Sequence, residues 1–240
     1  ALKFAMLTGK QKNYRRPMAK GILNPGEEEA ISMLEMLIKG ISGAPAYKGE
    51  VIAATVPANP LGEELDTTFH RVVVERCLKN LGYEVKILNE ALALIFTENP
   101  QVKTALGETG PFSGVGISFG AGMTNLVVAW RAQKLFEISV PRGGDWIDER
   151  VAAMRNQPIS KVTAFKENPK KFRLDQPNPR DPIHLALEIY YEELVRHALG
   201  RFTEFFHTAN SVLEDPLDII IGGGTACVPG FLEKFREVLA

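Results

Sequence analysis

Two glycine-rich turns in the sequence have the residue types needed to hold a phosphate group. The first is "ISFGAGMTN", around Gly120–Gly122, and the second is "IIIGGGTACVPGF", around Gly222–Gly224. Glycine lets main-chain N–H groups approach an anion closely, and a helix that starts after the turn adds its dipole. For each turn alone, an ordinary structural turn is the alternative. Because the two turns flank a long predicted helix, together they favour a shared nucleotide site.

Glu90 is the candidate for acid–base chemistry, since it follows the apolar run "YEVKIL" at the start of a predicted helix. A carboxylate held beside phosphates can accept a proton from the water that attacks during phosphoryl transfer. The alternative is a structural role near a helix N-terminus, where the dipole favours negative charge. The residues alone leave both interpretations open.

Composition excludes several function classes. The 240 residues are 45% hydrophobic and 24% charged, which is typical of one large or two modest globular domains. With a net charge of -1 we expect no direct nucleic-acid partner. Cys77 and Cys227 lie far apart without metal-ligand spacing, and no apolar run is long enough for a transmembrane segment. These features favour a cytoplasmic protein.

The first half of the chain is predicted to alternate helices and strands. Asn24 is placed to cap a helix over 24–40, and the apolar run 50–57 predicts a strand covered on both faces. A helix over 63–80 and a strand over 83–88 follow. A strand, a helix and a strand in this order indicate a parallel crossover and hence an α/β fold. The apolar stripe predicted for the second helix consists of Leu65, Phe69, Val72, Val73 and Cys77.

The second half begins with short antiparallel strands, predicted at "GVGISF", "TNLVVAW" and "KLFEISVP". A helix follows the glycines of "GGDWIDERVAAMRN". Residues 157–181, rich in proline and charge, are expected to form an excursion or small subdomain rather than core. A long amphipathic helix and a buried strand then lead to the triple glycine and a last helix.

The ordered set of motifs resembles the actin-like ATPase superfamily, most closely its bacterial MreB-like branch. The matching stretches are "RPMAKGIL", "EVIAATVPA", "NEALALIF", "SFGAGMT", "GGDWIDE" and "IIGGGTACVPGF". They occur in the family's order over nearly the whole chain, which is more specific than any one motif. The resemblance also implies that the family's first phosphate loop, which precedes "RPMAKG", and a short C-terminal piece are missing from this sequence.

The resemblance implies an α/β, actin-like (ribonuclease H-like) fold of two lobes with a nucleotide cleft between them. The first lobe is expected over residues 1–111 and the second over 112–240. A small inserted subdomain is expected around 157–181.

The same resemblance assigns roles to individual residues. Glu90 matches the carboxylate that positions or activates the attacking water. Lys166 matches a lysine that reaches the adenosine, although Thr163 replaces the glutamate that usually accompanies it. Ser118 stands where an aspartate organises hydrated Mg²⁺, so no metal ligand is assigned, and Met123 replaces a threonine. The nucleotide-binding residues implied are Gly120, Ala121, Gly122, Met123, Thr124, Lys166, Gly222, Gly223 and Gly224.

The implied function is binding of ATP or ADP by a filament-forming prokaryotic cytoskeletal protein that self-associates and uses protein adaptors. Its ATPase activity would rest on a degenerate second phosphate motif. Serine carries no charge to hold a metal's water shell, and methionine has no hydroxyl for phosphate. The sequence therefore leaves open whether Mg²⁺ binds and whether ATP is hydrolysed. The alternatives are a non-hydrolysing actin-like scaffold or adaptor and a chaperone-like relative.

Overall fold

The computed structural model of the protein describes residues 15–60, 67–98, 101–103, 109–208 and 217–240. The helices are α1 (Ala30–Ser42), α2 (Thr68–Asn80), α3 (Glu90–Glu98), α4 (Gly144–Arg155), α5 (Ile159–Lys166), α6 (Pro182–Thr208) and α7 (Phe231–Leu239), with a 3₁₀ turn at Gly224–Cys227. The strands are β1 (Met18–Ala19), β2 (Ile22–Leu23), β3 (Val51–Val56), β4 (Glu84–Asn89), β5 (Gln101–Lys103), β6 (Thr109–Pro111), β7 (Gly114–Phe119), β8 (Thr124–Trp130), β9 (Gln133–Val140) and β10 (Asp218–Gly222).

A four-stranded sheet in the order β10–β7–β8–β9 organises the second half of the chain. β7, β8 and β9 pair antiparallel, as predicted, while β10 pairs parallel to β7 with Gly222 opposite Ser118. Residues 124–129 of β8 are all buried. Side chains of α4, α6 and α7 cluster with one face of the sheet, and those of α3 with Val127 and Ala129 on the other. Burial on both faces explains the nearly continuous apolar sequence of these strands.

The long helix α6 supplies the centre of this core, and the predicted buried positions Leu187, Leu194 and Ala198 are confirmed. The segment 157–181 also enters the core, because Val162 and Phe172 are fully buried within it. The expectation that this segment lies outside the core is wrong for these two residues. Phe172 stacks on Tyr191 of α6 with ring centroids 5.7 Å apart, which fixes the segment against the helix.

β3, α2 and β4 form the predicted parallel crossover, with Val51 opposite Glu84 and Val56 opposite Asn89. The expectation that β3 is covered on both faces is wrong, since alternate residues from Val51 are exposed. The buried face of α2 also differs from the predicted apolar stripe, because Phe69 and Val72 are more than half exposed. Leu65 lies outside the described residues. The buried face of α2 consists of His70, Val73, Val74, Cys77 and Leu78.

Helix α1 begins at Ala30 and not at Asn24. The Asn24 side chain instead accepts a hydrogen bond from the Gly26 amide at 3.0 Å, and the Asn24 amide donates to the Pro17 carbonyl at 2.8 Å. Asn24 therefore closes a local turn after β2. Asparagine favours both helix caps and such turns, and the tertiary contact with Pro17 decides between them here.

Candidate functional site

The loop between β7 and β8 is joined to two other parts of the chain by hydrogen bonds to one carbonyl. The Gly120 carbonyl accepts from the Gly144 amide at 3.0 Å and from the Thr225 hydroxyl at 2.8 Å. The neighbouring Ala121 carbonyl accepts from the Asp145 amide at 2.8 Å. Three motifs separated in sequence, "SFGAGMT", "GGDWIDE" and "IIGGGTACVPGF", therefore meet at this loop.

Close backbone contacts require glycine at two positions of this junction. A Cβ on Gly143 would lie 2.4 Å from the Gly120 carbonyl oxygen, and one on Gly122 would lie 2.1 Å from the Gly21 nitrogen. The β1–β2 hairpin, which contains "RPMAKGIL", thus packs directly on the loop. Arg16 extends the same contact, because its Nη1 lies 3.3 Å from Oδ2 of Asp145.

The predicted phosphate-loop residues differ in what they have available for a ligand. The Gly120 amide donates to the Met123 carbonyl at 2.9 Å, whereas no hydrogen bond within the described residues engages the amides of Ala121 and Gly122. The Met123 side chain is buried against Gly21. Thr124 is buried too, and its hydroxyl donates to the Arg142 carbonyl at 2.9 Å. The loop therefore offers backbone amides, and its hydroxyl is already used.

Glu90 lies beside this loop at the first turn of α3. The preceding residue, Asn89, accepts from the Ala91 amide at 2.8 Å and so caps the helix. Oε2 of Glu90 accepts from Nδ2 of Asn125 at 2.7 Å and lies 4.0 Å from the position that a Cβ on Gly120 would occupy. Asn125 in turn accepts from the Ser139 hydroxyl at 2.5 Å, which fixes the orientation of its amide.

Burial raises the pKa of the Glu90 carboxyl above its ordinary value, and the hydrogen bond from Asn125 opposes that rise. No cation takes part in either effect. A half-buried carboxylate held by a neutral amide is a suitable proton acceptor, because a raised pKa brings a carboxylate closer to neutral pH.

A pocket of about 420 Å³ opens next to the same junction. Among the predicted binding residues, Ala121, Lys166 and Gly224 line it, and its other polar side chains include Asp145, Asp148, Thr163, Glu167, Tyr191 and Thr225. Its size and its mixture of apolar and convergent polar groups are typical of small-molecule sites.

Gly222 and Gly223 do not line this pocket. A Cβ on Gly222 would lie 2.8 Å from the Leu94 side chain of α3. Gly223 has a φ of +96° and approaches the Phe119 carbonyl so closely that a Cβ would lie 2.3 Å from its oxygen. Both glycines serve chain packing, whereas a Cβ on Gly224 would meet no atom within 4 Å.

Lys166 is buried and ion-paired within the pocket wall. Its Nζ lies 2.9 Å from Oδ2 of Asp148 and donates to the Gly144 carbonyl at 3.1 Å, while the Thr163 hydroxyl donates to the same Asp148 oxygen at 2.8 Å. Burial raises the pKa of Asp148, and the charge of Lys166 opposes that rise. Thr163, the residue that replaces the family glutamate, therefore positions this pair.

Two buried polar atoms of the pocket wall have no hydrogen-bond partner among the described residues: Oδ1 of Asp148 and the hydroxyl of Tyr191. Buried polar groups are normally satisfied, so both favour a bound polar molecule. Sequence reasoning assigned no role to either residue. The acidic position of "GGDWIDE" was a signal for Asp148, whereas Tyr191 has no signal, since the apolar stripe predicted for α6 contains its neighbour Tyr190 instead.

The described residues supply no set of side chains that fits a metal held by protein ligands. Ser118 lies in β7 between Asn125 and Gly222 of the neighbouring strands, where it supplies no charge. The described part of the chain has no cluster of three or more histidine, cysteine, aspartate or glutamate side chains able to hold a metal ion.

Solved structures with the same fold were found over most of the chain. The ethanolamine utilization protein EutJ from Carboxydothermus hydrogenoformans is 16% identical, with a TM-score of 0.60 over 88% of this chain. MamK, in a double helical filament, is 14% identical with a TM-score of 0.65 over 94%. MreB5 of Spiroplasma citri bound to ADP is 15% identical with a TM-score of 0.60 over 98%. This chain spans 65%, 72% and 75% of those three chains, respectively.

The fold is α/β and actin-like, with two lobes, as the sequence motifs predict. A profile of the volactin family matches residues 1–240, and the chain belongs to that family. No curated protein matches the sequence significantly. Among the described residues, no helix is both long and apolar enough to cross a membrane.

Proposed function

We propose that the protein binds a nucleotide, ATP or ADP, at the junction of the β7–β8 loop, the α4 N-terminus and the Gly224 turn. The observation that carries this proposal is the convergence of these three motifs on the Gly120 and Ala121 carbonyls beside a pocket with two unpartnered polar atoms. MreB5 of Spiroplasma citri, which has the same fold, was solved with ADP and with AMPPNP.

In this arrangement the two ends of the nucleotide meet different chemistry. The phosphates lie at the loop, where the amides of Ala121 and Gly122 are available as donors. The nucleoside lies in the 420 Å³ pocket, with Gly224, Lys166 and Asp148 around it. Lys166 acts there mainly as the partner of Asp148.

Glu90 is the proposed catalytic residue for hydrolysis. Water attacks the γ-phosphorus, the bond from phosphorus to the β–γ bridging oxygen breaks, and Glu90 accepts the proton of the water, yielding ADP and phosphate. Asn125 and Ser139 are positioning residues that hold the carboxylate.

Gly224 allows a direct test of nucleotide binding. Gly224 lines the pocket and a Cβ at this position meets no protein atom within 4 Å, so we expect Gly224→Val to narrow the site without distorting the backbone. We expect the affinity for ATP and ADP, measured by calorimetry, to fall about tenfold or more, equivalent to ~1.4 kcal/mol.

The matched control is Gly200→Val in α6, where a Cβ also meets nothing within 4 Å and which lies outside the pocket. It should bind nucleotide as the unmodified chain does. Equal affinity of Gly224→Val and the unmodified chain, or no binding by either, contradicts the proposed site.

Assembly into filaments that respond to nucleotide, assisted by protein adaptors, is the second part of the proposal. MamK has the same fold and forms a double helical filament, and PilM, with a TM-score of 0.55, was solved in a complex with PilN. Sedimentation of the protein with ATP, ADP or no nucleotide tests this part. If the amount of sedimented protein is the same with ATP, with ADP and without nucleotide, this part of the proposal is contradicted.

A specific observation favours the second candidate, a non-hydrolysing scaffold. Ser118 lacks the charge for a hydrated metal, Met123 lacks a hydroxyl, and the Thr124 hydroxyl donates to Arg142. Tight nucleotide binding without phosphate release would favour the scaffold over the ATPase.

A further inference from the structure

A second pocket of about 260 Å³ lies apart from the proposed nucleotide site and shares no lining residue with it. It is placed at the carboxyl ends of the parallel strands β3 and β4, the edge where α/β sheets usually bind ligands. Residues 57–59 follow β3, Asn89 ends β4, and Lys134 and Glu137 of β9 form the opposite wall.

The N-termini of two helices converge on this pocket. Thr67 occupies the N-cap position of α2, and Thr67 and Arg71 line the cavity, while Asn89 and Leu92 bring the start of α3 to it. Helix N-termini carry partial positive charge and attract anions.

The asparagines of this pocket are oriented as donors. Oδ1 of Asn89 accepts from the Ala91 amide, and Oδ1 of Asn59 accepts from the amide of Thr67 at 3.2 Å and from its hydroxyl. Asn89 is only 6% exposed, and its Nδ2 has no partner among the described residues. A buried amide N–H₂ left in this way needs an acceptor, so it indicates a ligand rather than an ordinary capping residue.

The charged side chains that line this pocket also favour an anionic occupant. Arg71 and Lys134 are cations and Glu137 is the one anion among the lining residues, for a formal charge of +1. Glu137 is already paired through Oε1 with Lys134 at 3.0 Å, and its buried Oε2 has no partner in the described part of the chain. An oxyanion would accept from Nδ2 of Asn89, and a hydroxyl group would donate to Oε2 of Glu137, so an occupant with both groups would satisfy both residues.

We propose that this pocket is a second binding site, for a small phosphate oxyanion that also carries a hydroxyl group, held by Arg71, Asn89 and Lys134. The apolar walls at Val56 and Leu92 leave room for a short carbon skeleton, so both inorganic phosphate and a small hydroxylated phosphate ester have the required chemistry. Because Lys134 belongs to the four-stranded sheet and Arg71 and Asn89 to the β3–β4 unit, the occupant bridges the two sheets.

Calorimetry of the full chain with glycerol 3-phosphate, and separately with inorganic phosphate, tests the site. Arg71→Gln should weaken binding about tenfold, because a charge-assisted contact is lost. Asn89→Asp keeps the oxygen that caps α3 but replaces the N–H₂ donor by a carboxylate oxygen, and it should abolish binding. The matched control is Arg76→Gln, which removes an exposed arginine of the same helix outside the pocket.

The two probes distinguish the sources of the oxyanion. Tighter binding of glycerol 3-phosphate supports a phosphate ester, and equal binding supports free phosphate. Gly224→Val should leave both affinities unchanged, so the site does not depend on the nucleotide proposal. Absence of binding to the unmodified chain, or equal affinities for Arg71→Gln and Arg76→Gln, overturns the assignment.

Discussion

The β7–β8 loop and the pocket beside Gly224 meet at the Gly120 carbonyl but are built differently. The loop is held by backbone contacts, its one hydroxyl is used by Arg142, and Met123 packs away against Gly21. The pocket keeps buried polar side chains, with Asp148 paired to Lys166 and an unpartnered oxygen left over. The pocket therefore keeps side-chain groups for recognition while the loop has only main-chain amides, and we propose that nucleotide binding and hydrolysis are separable in this protein.

The largest expected effect comes from Glu90→Gln, which removes the proton acceptor but keeps an oxygen to accept from Asn125. If the loop supports hydrolysis, phosphate release from ATP should fall about 10²–10⁴-fold while nucleotide affinity stays the same. Initial rates of phosphate release and calorimetric affinities measure the two quantities.

Glu149→Gln is the control for this prediction, since Glu149 is an exposed residue of α4 that does not line the pocket. It should release phosphate at the unmodified rate. Equal rates for Glu90→Gln and Glu149→Gln would remove Glu90 from the mechanism, and if neither variant nor the unmodified chain hydrolyses ATP, the scaffold alternative holds.

A smaller effect is expected from Ser118→Asp, which places a carboxylate on β7 where the loop lacks charge. If the missing charge limits turnover, phosphate release that depends on Mg²⁺ should rise a few-fold, because a carboxylate can hold the water shell of the metal. Ser118→Asn is the control of similar size without charge and should leave the rate unchanged. Unchanged turnover in Ser118→Asp would contradict our explanation of that position.

Much of the fold and part of the candidate site could be predicted from the sequence. Strand and helix periodicity predicted β7, β8, β9 and α6, and the order of the motifs predicted the fold. The two glycine-rich turns were expected to share one site, and the hydrogen bond from Thr225 to the Gly120 carbonyl brings them together, while their role in phosphate binding stays a prediction. Residue type alone could not separate Gly224, which faces open space, from Gly222, which ends strand β10 and packs on Leu94 of α3.

The other differences between the predictions and the structure have one cause. They depend on contacts between distant parts of the chain. The partner of Asn24 is Pro17, and the buried face of α2 is set by β4 and α1 rather than by its own pattern. The predicted apolar stripe of α6 contained Tyr190, whereas the fully buried tyrosine that lines the pocket is Tyr191. Local propensity is a weak guide wherever such contacts decide.

The smallest expected effect concerns stability and the half-buried carboxylate of Glu90. The pKa of Glu90 is raised above 4.5 in the folded state, so the folded state holds a proton that the unfolded state has already lost. Stability from this group therefore falls as the pH rises through the window above 4.5. Glu90→Gln removes this loss, and its free energy of unfolding should exceed that of the unmodified chain at pH 7.

That difference should shrink as the pH is lowered toward 4.5, since both forms then carry a neutral side chain. Denaturant unfolding of both proteins between pH 4 and 8 measures it. Asp148 is present in both proteins, so its contribution cancels from the difference. The control is Glu75→Gln, a change at an exposed ion pair with Lys79, which should not give the same dependence of stability on pH. A difference that is independent of pH would mean that burial of Glu90 does not penalise its charge, and that Asn125 offsets the loss of water.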